Sequence, residues 1–336
     1  MNRIIIVAIA GFLSIALVSC GKNKRFDVNT DSEKIEVKIK RFDRDLVKLD
    51  TSALDVEIQK LYEQYPEFMP VYVSDILGVN PNDTVEVRKL IYEFLSDTAF
   101  QSVNRKTLET FNDVSAMEQS ISTSYSYIRH YFPEIKLPEV YFFVSGFNRS
   151  IMLNDNFVGI GTDLYLGSDY AKYTEFSYQY LTYNMRPESV SPDIISALLF
   201  KSFPFDCKEE RLLDNMLYRG KVMYLLSVVM PDEKPNDLMG YSKRQWEWSR
   251  KYEKEIWETI VDQKDLFSTD VMLIRKYLND APFTTPVSQE SPGRLGTWVG
   301  WQIVRSYMDN NKNVSLTDLM KDNNYQQIFD KSGYKP

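Results

Sequence analysis

One histidine and two cysteines bound the chemistry open to this chain. A zinc site of the HExxH kind needs at least two histidines on one helix, and His130 stands alone. Cys20 and Cys207 are too few for a cysteine-built zinc site or a disulfide framework. His130 lies in Arg129-His-Tyr-Phe-Pro-Glu134, at what reads as a helix C-terminus, where the dipole favours a cation. Its commoner role there is a cap or a partly buried side chain; the sharper one is a general base or lone metal ligand. Forty-seven acidic residues make neighbouring carboxylates such as Asp163 with Asp169, or Glu209 with Glu210, a matter of coincidence. None stands out as an acid/base pair. Gly159-Ile-Gly161 and Gly293-Arg-Leu-Gly296 lack the spacing of a phosphate or dinucleotide loop. No catalytic residue, metal ligand or cofactor is expected.

The aromatic residues offer binding rather than catalysis. In Gly296-Thr-Trp-Val-Gly-Trp-Gln-Ile-Val304, Trp298 and Trp301 share a helix face, and Gly300 between them lets another element approach closely. With Trp246, and with Arg294 in the tight loop Ser291-Pro-Gly-Arg294 that enters the same helix, they are the candidate partner-binding residues. Trp248 and Trp257 could extend a groove for a partner or glycan, although large aromatics more often fill a core.

Cys20 carries the one modification chemistry that the spacing supports. Arg3 precedes an apolar run, Ile4 to Val18, which ends in Leu17-Val18-Ser19-Cys20. At about 15 residues the run is short for a span of the hydrocarbon core, and a secretory signal fits it better than an uncut anchor. The Leu-x-Ser-Cys ending looks like a bacterial lipobox. In such precursors the thiol receives a diacylglyceryl group, the signal is cut away and the new amine is acylated. Two or more chains give stable anchoring, at about 0.8 kcal/mol per buried CH₂. Residues 1–19 are then a signal peptide and 20–33 a lipidated tether. Cys207 becomes the only thiol left, expected as a packed core residue beside Phe203 and Phe205. The mature start, Cys20-Gly-Lys-Asn-Lys-Arg25, has no acidic residue after the cysteine. An Asp there commonly marks retention in the inner membrane, so the outer membrane is expected.

Behind these residues stands a globular composition: 43% hydrophobic, 26% charged, 14% aromatic. A net charge of −7 argues against a general nucleic-acid binder, which concentrates Lys and Arg. Ile35 to Ile39 alternates and predicts a strand. Helices are predicted over 54–65, 71–77, 85–96 and 108–131. A buried strand follows at Val140–Val144, then a hairpin turning at Asn154-Asp-Asn156 into the strand Phe157–Gly161. Further helices are expected from Ser191-Pro-Asp193 to Phe200, over 214–230, 246–260 and 296–308, with a short final one at 315–320. The fold class is α+β, mostly helical with a small central sheet, in a single domain over 34–336.

The ordered stretches resemble a known family, the gliding motility lipoprotein GldB family of the Bacteroidetes. They are Arg41-Phe-Asp-Arg-Asp-Leu46; Tyr131-Phe-Pro-Glu134; Val158-Gly-Ile-Gly161 with Asp163, Tyr165, Leu166 and Gly167; and Arg219-Gly-Lys221 before Tyr224 and Met230-Pro231. Gly240-Tyr-Ser242, Gln245-Trp246, Glu255-Ile-Trp257 and Ala281-Pro-Phe283 continue the series. Ser291-Pro-Gly-Arg-Leu-Gly296, Trp298, Gly300-Trp-Gln-Ile-Val304, Tyr307-Met308 and Ser332-Gly-Tyr-Lys-Pro336 close it. The resemblance implies an envelope lipoprotein associated with gliding and with type IX secretion machinery. Surface-exported lipoproteins of that phylum usually carry acidic residues after the cysteine; Lys22-Asn-Lys-Arg25 departs from this, and a periplasm-facing body is expected. The family is also distantly similar to zinc peptidases of the gluzincin kind. Here the corresponding helix, Pro192 to Lys201, has neither His nor Glu, and Arg219-Gly220 stands where a ligand Glu-Gly would be. That implies a degenerate zincin-like scaffold without its metal ligands.

Three functions follow as expectations. The first is a non-enzymatic outer-membrane lipoprotein, held to membrane lipid through acylated Cys20, that binds envelope proteins. The others are a glycan- or peptidoglycan-binding lipoprotein and a divergent metallopeptidase-like hydrolase.

Overall fold

Strands β1 (Glu139–Phe143), β2 (Ile151–Leu153) and β3 (Phe157–Gly161) form one sheet in the order β1-β3-β2, in a computed structural model that describes residues 25–30 and 33–336. β1 runs parallel to β3, and β2 returns antiparallel along β3's other edge. The turn between β2 and β3 is the expected one. Asn154 Oδ1 accepts the backbone N–H groups of Asn156 and Phe157, both at 2.8 Å, as an Asx side chain does.

Strand alternation assigns the two faces. Val140, Phe142, Val158 and Ile160 enter a large core, while Tyr141, Phe143, Met152 and Phe157 enter a smaller one. Helices cover both faces, as a parallel pair requires. Over the small core lie α1 (Phe42–Val47), α2 (Leu54–Gln64), α3 (Phe68–Asp75), α4 (Thr84–Ser96) and α5 (Thr98–Thr110). The Phe68 ring stacks on Tyr141 at 4.6 Å, and Gly159 makes room for it: a Cβ there would stand 2.9 Å from the ring. The large core gathers α6 (Ser115–Tyr131), α8 (Val190–Ser202), α9 (Leu212–Val229) and α10 (Pro235–Met239), with the short α7 (Gln179–Thr182) outside it. It is completed by α11 (Lys243–Lys251), α12 (Glu253–Asp262), α13 (Val271–Leu278), α14 (Leu295–Asn310), α15 (Leu316–Lys321) and α16 (Tyr325–Ser332). Among the described residues, α9 and α14 pack against each other more extensively than any other two elements.

This is the expected mostly helical α+β architecture with a small sheet; a zincin-like scaffold is not shown by it. Four expectations change. The strand predicted at 35–39 keeps its alternation, with Val37 and Ile39 buried, but joins the sheet only where Lys40 bridges Tyr141. Its backbone is instead bound by α6 side chains. The N–H groups of Ile35, Val37 and Ile39 donate to Ser126 Oγ (2.9 Å), Ser122 Oγ (2.9 Å) and Glu118 Oε1 (3.0 Å). Two strand residues advance about 6.6 Å and four helix residues about 6.0 Å, so the two periods match over this length. The helix predicted over 108–131 is two, because Arg41 and Arg44 take the carbonyls of Phe111 and Asn112 at the end of α5. The Asp113 carboxylate then caps Ser115 N–H at 2.9 Å to start α6. The helix predicted over 246–260 breaks at Tyr252 into α11 and α12, and α16 follows the helix expected to be last.

The stretch Arg41-Phe-Asp-Arg-Asp-Leu46 thus acts as a clamp. Asp43, wholly buried, receives a bidentate guanidinium from Arg41 at 2.8 and 2.6 Å, and Asp45 accepts Tyr65 O–H at 2.5 Å. Burial pushes the Asp43 carboxyl up, and Arg41 pulls it back down.

The tether expected over 20–33 is shorter than its bounds suggest. Arg25 donates to the carbonyls of Met308 (2.7 Å) and Val314, and Phe26 is buried with its ring edge-on to Tyr131 and Tyr224. Cys20 and the signal peptide expected over 1–19 lie outside the described residues.

Candidate functional site

Arg219, Gly220 and Lys221 are consecutive on α9, so their directions fan out by about 100° each. Each ties α9 to a different element. Arg219 Nη1 donates to the Leu278 carbonyl at the end of α13, at 2.7 Å. Gly220 meets Gly300 of α14, backbone against backbone. Lys221 donates to the carbonyls of Met320 (3.2 Å) and Asp322 (2.7 Å) at the end of α15, where the helix dipole favours a cation. Lys221 is 1% exposed, and burial drives its ammonium down to about 8.

Beside Arg219 lies a polar cluster drawn from five segments. Arg294, at the start of α14 with φ +61°, donates to the Met239 carbonyl at 2.5 Å and pairs with Asp280 at 3.1 Å. Tyr241, beneath its guanidinium, donates to the Gly293 carbonyl at 2.5 Å. On α8, Asp193 accepts the Tyr165 hydroxyl at 2.9 Å. Burial pushes the Asp193 carboxyl up to about 6, against the lowering by that hydroxyl and by the Arg294 cation; Asp280 adds to the rise. Arg219 itself is lowered by burial first and by the nearby Arg294 cation second. Tyr165, Arg219, Gly240-Tyr241 and Gly293-Arg294 come from four of the stretches quoted for the resemblance, and the fold brings them together.

Arg219 also opens onto a cleft of about 360 Å³ between α9 and α13, lined by Lys208, Glu210, Asn215, Arg275 and Asn279. Among the described residues, Lys208, Arg219 and Arg275 form no ion pair, while the cleft's Glu209 is held by Arg211 at 3.0 Å. The cleft therefore has three cations with a single uncommitted carboxylate, Glu210, in a chain whose net charge is −7.

This donor set does not fit the zinc ion that the zincin resemblance would put here. α8 offers one carboxylate, already bound by Tyr165, and the neighbouring positions carry Arg219 and Arg294. Two guanidinium groups oppose a divalent cation, and among the described residues no three His, Cys, Asp or Glu side chains gather to hold one.

The other candidates separate by burial. Trp298 and Trp301 are 1% and 2% exposed, sealed in the large core, so neither can touch a partner in this structure. Trp246 is half-buried and roofs both rings, at 6.4 and 5.8 Å. Arg294 is half-buried and committed to Met239 and Asp280. His130 places Nδ1 2.7 Å from Glu33 Oε2 on the surface. Asp163 is no acid/base partner of Asp169. It is fully buried and accepts the N–H groups of Ser145 (2.8 Å) and Phe147 (2.5 Å), bracing a loop in which Phe147 has φ +62°. Cys207 is half-buried against the large core. Sequence reasoning passed over Asp193 as a helix-start residue and passed over Lys208 and Arg275 altogether; Arg219 was visible only as a departure from a ligand position.

No curated protein and no solved structure matches the chain. A family model described as "Gliding motility protein GldB" matches residues 23–336, nearly the whole length, and the chain belongs to that family of gliding-motility-associated lipoproteins.

Proposed function

We propose that the chain is a periplasm-facing lipoprotein of the outer membrane, anchored through acylated Cys20, which binds a protein partner and catalyses no reaction. The cleft at Arg219 carries the binding part of this reading. Guanidinium forks on Arg219 and Arg275, with the amide of Asn279, suit a carboxylate presented by an acidic segment, and Val271 and Leu278 supply an apolar wall. Family membership supports gliding or type IX secretion machinery as the source of that partner. The basic, acid-free start after Cys20 supports the periplasmic side of the outer membrane. The cationic residues at the would-be metal position support a non-enzymatic role.

The test is crosslinking in intact cells followed by mass spectrometry, comparing the natural chain with Lys208→Glu/Arg275→Glu and with Cys20→Ala. Both altered side chains lie at the surface of the cleft, so the melting temperature should hold. A defined set of envelope proteins should be captured by the natural chain and lost from both variants. Unchanged capture by the charge-reversed chain would sink the cleft as the site. Turnover of a substrate by the purified body, abolished by one substitution, would sink the non-enzymatic reading.

A second reading, glycan binding, keeps one observation. Tyr178 and Tyr180 stack at 5.7 Å and are exposed, 72% and 37%, beside the half-exposed Phe176. Aromatic faces of this kind are what a sugar ring stacks upon, and the buried tryptophans are not. Tyr178→Ala should weaken binding of peptidoglycan fragments if this reading holds, and leave it unchanged otherwise.

A further inference from the structure

We propose that the body has a fixed membrane-facing side: the end of α14 and the loop at 309–314 that follows it lie against the lipid surface. This rests on the reading of Cys20 as the lipid anchor.

The argument is one of length. Arg25 is part of the folded body, held by the carbonyls of Met308 and Val314, and Phe26 is buried behind it, with the Tyr131 hydroxyl donating to the Phe26 carbonyl at 2.9 Å. Only five residue steps separate Cys20 from Arg25. Fully extended, five steps reach at most about 18 Å. A domain of this size is about 50 Å across, from the usual scaling of radius with chain length. The reach is thus less than the body's own radius. The chain cannot pass around the molecule, so the side from which it leaves must face the bilayer. Had all of 20–33 been free, about 14 steps would reach roughly 48 Å, and any side could have faced the lipid. The two contacts at Arg25 and Phe26 decide between these cases.

α14 then serves as a ruler. Its 16 residues span about 24 Å, with Asn310 at the membrane end and Leu295, next to Arg294, at the other. Lys312, in the loop, has a side chain 64% exposed; Lys243, at the start of α11 near Tyr241 and Arg294, has one 87% exposed. The first should lie at the lipid and the second away from it.

The experiment uses the full-length acylated protein in vesicles of phosphatidylethanolamine and phosphatidylglycerol, with Cys207→Ser to remove the other thiol. A bimane fluorophore is attached in turn to Lys312→Cys and Lys243→Cys, and quenching by brominated lipid is compared with quenching by aqueous iodide. Lipid quenching should be several-fold stronger at position 312, and iodide quenching several-fold stronger at 243. Adding Arg25→Ala/Phe26→Ala, which frees more chain, should shrink the difference. Mass spectrometry of the N-terminal peptide from the same preparation separates the failures. An unacylated Cys20 overturns the anchor and the orientation with it. An acylated Cys20 with equal quenching at the two positions overturns the orientation alone.

Discussion

Gly220 of α9 and Gly300 of α14 lie face to face, with no side chain between the two backbones. A Cβ on Gly300 would stand 1.9 Å from the Met216 carbonyl oxygen, and one on Gly220 would stand 2.3 Å from the Gly300 carbonyl carbon. The obstructing atoms are backbone, which cannot swing aside as a side chain can. Gly300→Ala should therefore destabilise the fold by about 3 kcal/mol, the upper end for an overpacked core. Chemical denaturation would check this; a midpoint within error of the natural chain would show that the helices separate easily.

The seal around the tryptophans gives a second expectation. Trp298→Ala removes a fully buried ring and should lower stability by about 3–5 kcal/mol. Trp246→Ala removes a half-buried one and should lower it less. Thermal melts of both variants would rank them. Weakened glycan binding by Trp298→Ala at unchanged stability would return the ring to a binding role.

The α6 side chains that hold residues 35–39 should be separable from the sheet. Ser122→Ala leaves the buried Val37 N–H without its acceptor and should cost about 1–2 kcal/mol. Hydrogen exchange would localise the change: faster at Val37, unchanged at Phe142, whose N–H is held by the Lys40 carbonyl at 2.9 Å.

Asp193 should make stability depend on pH in a defined direction. Its carboxyl is raised to about 6 in the folded chain, against about 3.9 for a free aspartate. The protonated form is thus favoured by folding. This contribution is complete below about pH 4 and is lost as pH rises through 6. Asp193→Asn, which stays neutral, should match the natural chain near pH 4 and exceed it at pH 7 by up to about 3 kcal/mol. Melting temperatures across that range would decide; an equal gap at both pH values would show that titration plays no part. Other carboxyls raised by burial, Asp43 and Asp163 among them, titrate in both chains and cancel in the comparison.

What could be read in the sequence was what depends on near neighbours. The hairpin at Asn154, the ends of the helices predicted over 54–65 and 214–230 and the alternation of Ile35 to Ile39 are local, and all reappear in the structure. The alternation was read as a strand ladder because spacing reports which side chains are buried, not what binds the backbone; Ser122 and Ser126 are 85 and 91 residues away from their partners. Trp298 and Trp301 read as core more readily than as surface, and the structure decides for the core once α11 lays Trp246 over both rings. The cleft was illegible for the same reason. Lys208 and Arg275 are unremarkable in their own segments, and the lack of a carboxylate that they share with Arg219 appears only once α9 and α13 are side by side.

The hydrogen bond from Arg25 to Met308 joins positions 283 apart. A chain made and exported from its N-terminus offers Arg25 almost first and its acceptors almost last. The segment next to the proposed anchor therefore waits through nearly the whole of synthesis for its seat. Until α14 and the loop after it have arrived, the unfinished body hangs on a longer leash than the finished one. With Arg25 and Phe26 unseated, a body anchored as proposed at Cys20 would stay held to the lipid but turn freely.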